Sequence, residues 1–183
     1  KMGSDDDIEV VKKFRELSDA ELRIDVNGGW KFNEAVEKLK ELEKYNIEFV
    51  EQPLPTGSLK ELDDLAAGTD IPIFADEDLN NFSDIMGLNG IVRGINVKLS
   101  KCGSIFDSIR IMQYAKQVGM KVLMGCMVES SVGITAALHL TALADYIDLD
   151  GNILINNDPF KGAITGNGLM TLPDGNGLGV QPR

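Results

Sequence analysis

Six apolar runs recur along this chain, and five of the six end on or beside an ionisable residue. The runs cover residues 22–26, 47–50, 71–75, 95–99, 122–124 and 146–149, and within one residue of their ends stand Asp25, Glu51, Asp76, Lys98, Gly125 and Asp148. The steps between these ends are 26, 25, 22, 27 and 23 residues. The runs are rich in Ile and Val, and some are apolar throughout, as in parallel strands covered on both faces. Helical spacing fills the gaps. In 33–44, Ala35, Val36, Leu39 and Leu42 share an inward face and Asn33 is placed to cap the start. Further helices are expected over 58–66, 104–117 and 134–143, and over 5–17, where three acids favour the N-terminal end.

Strand and helix alternating at this spacing argue for right-handed βαβ units. A series of them is either a barrel or an open doubly wound sheet. The strand ends decide between the two. In a barrel all strand C-termini meet at one mouth, so these charges form a ring rather than a scatter. An open sheet would spread them along an edge and usually opens on a glycine-rich turn, which this chain lacks. The late glycines of "GNGLMTLPDGNGLG" have no strand-to-helix context and are interrupted by Pro173, so they read as turns. The expected fold is therefore α/β, a (β/α) TIM-type barrel. Residues 1–150 are expected to form the barrel portion with the site, and 151–183 its C-terminal extension.

Asp25, Glu51 and Asp76 come from three consecutive strands. Carboxylates brought together repel one another unless a cation lies among them, and hard oxygen donors suit Mg²⁺, which keeps positions open for water or substrate. A strand-end acid often does no more than cap a turn, but three in register argue for a site. Asn27 lies two residues past Asp25, on the same side, and Gly28 and Gly29 let the chain turn sharply. Lys98 ends an apolar strand, where an unpaired lysine is rare. Beside a divalent cation its ammonium form is disfavoured, which makes it a base near neutral pH. Lys1 lies 24 residues before Asp25, on the same ring and across from Lys98. A metal between two lysines suits proton transfer at a carbon next to a carboxylate or carbonyl.

With 18 Lys plus Arg against 29 Asp plus Glu, the formal net charge is −11, which disfavours nucleic acid and anionic membrane as partners. No apolar run approaches the roughly 20 residues of a membrane span. No leader is visible, and Cys102 and Cys126 read as free thiols, so a cytoplasmic protein is expected. Self-association into a homo-oligomer stays open.

The segments "KMG", "RIDVNGGW", "FVEQPLP", "IPIFADED", "INVKLSKCG", "VLMGCMVESSVGITAALHL" and "YIDLDGNILINNDPF" together resemble the muconate-lactonizing-enzyme subgroup of the enolase superfamily. They run through nearly the whole chain in the right order. That superfamily is known for pairing a lysine base with Mg²⁺. The resemblance implies Asp25, Glu51 and Asp76 as Mg²⁺ ligands and Lys98 as one acid/base. Lys1 resembles the second lysine of the Lys-x-Lys motif, the other acid/base. The subgroup includes cycloisomerases, o-succinylbenzoate synthases, N-acylamino acid racemases and dipeptide epimerases. In the dipeptide epimerases an Asp-x-Asp at the position of Asp148 and Asp150 is understood to hold the free α-amino group of the substrate. This implies a dipeptide as substrate, epimerised at its C-terminal residue by proton removal and return through an enolate. A cycloisomerase or an N-acylamino acid racemase is the alternative. The family's barrel begins before Lys1 and carries an N-terminal capping domain. A closed barrel takes about 250 residues, so this chain is expected to hold the barrel incomplete at its N-terminal side, without the capping domain. Asp78 stands where the family more often has serine; it would either perturb the metal site or start a helix.

Other polar residues are less telling. Glu129 either faces the pocket as a substrate-binding acid or caps the helix that follows. His139, in an apolar helix, is expected to pack rather than react. Trp30 either packs or walls the pocket beside Asn27.

Overall fold

The computed structural model describes residues 1–183. Its elements run α1 (Asp7–Leu17), β1 (Leu22–Asp25), α2 (Phe32–Leu42), β2 (Ile47–Glu51), α3 (Leu59–Ala67), β3 (Ile73–Ala75), α4 (Phe82–Leu88), β4 (Gly94–Val97), α5 (Ile105–Gln117), β5 (Lys121–Met124), α6 (Ser131–Leu138) and β6 (Tyr146–Ile147). Four short strands follow: β7 (Phe160–Lys161), β8 (Ile164–Gly166), β9 (Leu169–Thr171) and β10 (Gln181–Pro182). The strand–helix succession with parallel pairing is that of a (β/α) barrel, present in part, as expected. The chain divides into two compact units, Lys1–Leu79 with Ser83–Ile95, and Asn80–Phe82 with Asn96–Arg183.

In the first unit, β1 pairs with β2, β2 with β3, and β3 with the start of β4, all in parallel. The register sets Asp25 beside Glu51, and Glu51 beside Phe74. Alternation then places Phe49 with Glu51, and Phe74 with Asp76, on one face of the sheet. The Phe49 and Phe74 rings stack with centroids 4.1 Å apart, forming an apolar layer next to the acids. Gly94 makes room for that layer, since a Cβ there would lie 2.3 Å from the tip of the Phe74 ring. Beneath the sheet, Ala35, Leu39 and Leu42 of α2 are fully buried, as the spacing predicts. Val36 is 44% exposed instead, because it falls on the flank of the buried stripe.

Helix starts differ from expectation in this unit. α2 begins at Phe32 with Lys31 as N-cap, so Asn33 lies inside the first turn and caps nothing; Glu34 accepts the Lys31 N–H at 3.4 Å. α1 begins at Asp7, leaving Asp5 and Asp6 before it. Asp7 is only 2% exposed, and its carboxylate accepts the Trp30 indole N–H (2.7 Å), the Lys38 ammonium (3.0 Å) and the N–H groups of Gly3 and Ser4. Burial alone would raise its pKa, but these donors outweigh burial and bring it down to about 2 from an ordinary 3.8.

The sign follows directly. A carboxyl group held below its unfolded pKa stabilises the fold above that pKa, and the contribution is lost as pH falls from about 4 to about 2. We expect the stability difference between wild type and Asp7→Asn to shrink by about 2 kcal/mol over that range, measured by denaturant unfolding at a series of pH values.

In the second unit, the end of β4 bonds to β5 through the Gly125 N–H and the Val97 carbonyl (3.0 Å), and β5 pairs with β6 in parallel. The helix expected over 134–143 starts earlier, at Ser131, and stops at Leu138, with a short 3-10 turn at Thr141–Leu143. β8 and β9 form a hairpin whose loop is Asn167–Gly168, with φ of 53° and 74°. Positive φ at both positions is the two-residue turn that Asn-Gly favours, so this stretch of the glycine-rich tail is a turn, as expected.

Candidate active site

Asp25 and Glu51 are the last residues of β1 and β2, and Asp76 follows β3 by one position. Each lies where a parallel strand gives way to loop, so its side chain leaves the apolar layer while its backbone stays held. The Val26 N–H still bonds the Glu51 carbonyl (3.0 Å), and the Gln52 N–H bonds the carbonyl of Phe74 (2.8 Å). The three side chains offer carboxylate oxygens within 4.8 Å of one another, with Glu51 and Asp76 buried and Asp25 partly so. Three hard, anionic donors at that separation, two of them shielded from water, match the oxygen set a Mg²⁺-sized cation takes, with coordination positions to spare.

Lys1 belongs to the same group. Its ammonium donates to Asp25 Oδ2, and the Met2 N–H bonds the Asp25 carbonyl at 2.7 Å. Desolvation pulls the Lys1 pKa down. The Asp25 hydrogen bond and the charges of Asp25, Glu51 and Asp76 outweigh it and hold the group above its ordinary 10.5. Asn27, in the left-handed region at φ 49°, turns the chain after β1. Its backbone N–H bonds Asp25 Oδ1 (2.9 Å) and its side-chain amide donates to Glu77 Oε1 (3.1 Å), tying the end of β1 to the loop after β3.

Gln52 is the residue that sequence reasoning passed over. It is 1% exposed, with φ 38°, and its amide bridges two strand ends. Oε1 accepts the N–H of Asp76 (3.0 Å) and of Asp78 (3.3 Å), while Nε2 donates to the Leu54 carbonyl (2.9 Å) and to Asp78 Oδ2 (2.8 Å). The only sequence signal was its place between a ligand candidate and Pro53, which bars the preceding residue from an ordinary helical turn. Asp78 does not start a helix, since α4 begins at Phe82. Its oxygens serve Gln52 and the Gly57 N–H (2.8 Å), so it braces the two loops.

The remaining candidates lie in the second unit. Lys98 follows β4 directly and is 8% exposed, and its carbonyl accepts the N–H groups of Lys101 and Cys102. Asn96, two residues earlier, fills space that Gly125 leaves open; a Cβ there would lie 2.4 Å from its Oδ1. Asp148 keeps a ladder bond to the Met124 carbonyl (2.9 Å), and Asp148 and Asp150 are both exposed around buried Leu149. Glu129 accepts the Met127 N–H (3.2 Å) and lies over the first turn of α6, where Gly133 has no side chain to obstruct it. These three acids are gathered about Cys126. Burial raises its thiol pKa, and the charges of Asp148, Asp150 and Glu129 add to that rise. Trp30 is buried on Asp7 and walls nothing. His139 closes α6 and is exposed rather than packed, because the helix ends there.

Parallel strands covered by helices, with carboxylates at three consecutive strand ends and an ammonium against the first, define a barrel-type domain with an acidic triad, close enough together to take a cation, at its strand C-termini. More particularly, the chain belongs to the enolase C-terminal domain-like family, matched over residues 1–183. It is 38% identical over 181 residues to the L-Ala-D/L-Glu epimerase of Bacteroides thetaiotaomicron, covering 98% of this chain and 47% of that protein. Its fold matches a dipeptide epimerase from Cytophaga hutchinsonii, solved with Mg and the dipeptide D-Ala-L-Val, at TM-score 0.94 and 32% identity over 100% of this chain and 53% of that one. It also matches an N-succinyl Arg/Lys racemase from Bacillus cereus at TM-score 0.95 and 26% identity, over 100% of this chain and 52% of that one. The chain thus spans about half the length of the curated relatives it matches.

Proposed function

We propose that the protein is a Mg²⁺-dependent dipeptide epimerase. The observation that carries this reading is the cluster of Asp25, Glu51 and Asp76, with Lys1 against Asp25. Those three carboxylates would hold a divalent cation, whose charge would relieve that on a substrate carboxylate as its α-proton leaves. The chain's own residues do the rest. One of Lys1 and Lys98 takes the α-proton of the C-terminal residue on its Nζ, and the other returns a proton to the opposite face. Asp148 and Asp150 pair with the α-ammonium of the dipeptide, Glu129 adds negative charge beside them, and Asn27 borders the substrate at the β1 end. Residues 1–150 would carry this chemistry and 151–183 would extend the same domain. The test is hydrogen exchange at the dipeptide α-carbon in D₂O, followed by NMR with the intact protein and Mg²⁺. Exchange with inversion is expected, and no exchange with any dipeptide overturns the reading.

The likeness to the N-succinyl Arg/Lys racemase favours one alternative, racemisation of N-acylated amino acids, which have no free α-amine. The acid pair separates the two. Asp148→Asn with Asp150→Asn is expected to lower kcat/KM for free-amine dipeptides by about 10²-fold, as for the loss of a paired charge. Activity on N-acylated substrates should be spared. Equal loss on both classes removes the amine-binding role.

A further inference from the structure

We propose that Asp7 is a positioning residue for Lys1. This rests on the reading of Lys1 as an acid/base. Lys1 is joined to residues 2–4, and how they are held bears on where its ammonium points. One end is held at the barrel, where the Met2 N–H bonds the Asp25 carbonyl. The other end is held by Asp7. Its two oxygens accept the Gly3 N–H (3.1 and 3.0 Å), the Ser4 N–H (3.1 and 3.2 Å) and the Ser4 hydroxyl (3.2 Å).

Asp7 is itself held firmly. It is buried against the Trp30 indole N–H, and Lys38 both donates to it and donates to the Ser4 carbonyl at 2.7 Å. The fit is close on the remaining side too. Gly3 has φ +117° and packs against the Val26 carbonyl and Gly29, so the segment has little room to shift. A single buried carboxylate therefore gathers the backbone donors next to Lys1 and fastens them to Trp30 on the β1–α2 loop and to Lys38 on α2. Its removal frees the chain beside Lys1 while leaving Asp25, Glu51 and Asp76 on their own strands.

The experiment compares wild type, Lys1→Ala, Asp7→Asn and Trp30→Phe in the intact protein, with α-proton exchange measured separately for each epimer of a dipeptide. Asp7→Asn is expected to slow exchange about 10- to 100-fold for the epimer that Lys1→Ala silences. Exchange of the other epimer, KM and the Mg²⁺ requirement should stay near wild type. Trp30→Phe, which keeps the ring and removes the donor, should show the same one-sided loss in smaller degree. A purely structural role slows both epimers alike, and that outcome overturns the proposal, as does no change in either. If Lys1→Ala leaves both epimers exchanging at the wild-type rate, the role of Lys1 is wrong and the inference falls with it. A second readout is independent of turnover. Amide hydrogen exchange at Gly3 and Ser4 should accelerate at least about 10-fold in Asp7→Asn, with Leu22–Asp25 unchanged, and retained protection at Gly3 and Ser4 also overturns the proposal.

Discussion

Glu51→Gln in the intact protein is expected to cut epimerisation by about 10³-fold or more, since the electrostatic help of a bound cation amounts to several kcal/mol at the transition state. Glu51 is the middle carboxylate of the three, paired with Asp25 across β1 and β2 and buried next to the Phe49–Phe74 stack. Glutamine keeps the size and loses the charge, so the strand register should survive. Mg²⁺ titration by calorimetry should show affinity falling by more than tenfold, while circular dichroism stays unchanged. Undiminished Mg²⁺ affinity in a folded Glu51→Gln protein would take Glu51 out of the ligand set.

Replacing either lysine gives the second large effect, and its form is distinctive. Lys1→Ala and Lys98→Ala should each reduce net epimerisation by about 10²- to 10⁴-fold, the usual weight of a general acid or base. Exchange of the α-proton should persist for one epimer in each variant, and for opposite epimers in the two. Proton NMR of the L- and D-forms incubated separately in D₂O reads this out. If both variants silence the same epimer, the lysines do not serve opposite faces.

The strand ends were legible from sequence because a charge stands out against an Ile- and Val-rich run. Asp25 and Glu51 close β1 and β2, and Asp76, Lys98 and Asp148 each fall one residue beyond a strand. The parallel (β/α) order followed from the same spacing. What escaped was one helix too short to show a period, and whatever depends on partners far along the chain. α4 was missed because its seven residues, Phe82–Leu88, hold a glycine and too short an apolar stripe to show a period. Asp7 looked like one of three acids at a helix start, and nothing local marks Trp30 and Lys38 as its partners. Asp78 looked like an extra charge near the metal site, and its real use needs Gln52 and Gly57, 26 and 21 residues away.

The Gln52 amide has a consequence for altering this protein. Gln52 and Gly57 both bind Asp78, and Gln52 also holds the N–H of Asp76, so the segments after β2 and β3 share one set of bonds. A graft that exchanges the 52–57 segment alone strips Asp78 of its donors and slackens the backbone of a carboxylate on the neighbouring strand. These two loops are therefore one transplantable part, to be exchanged together.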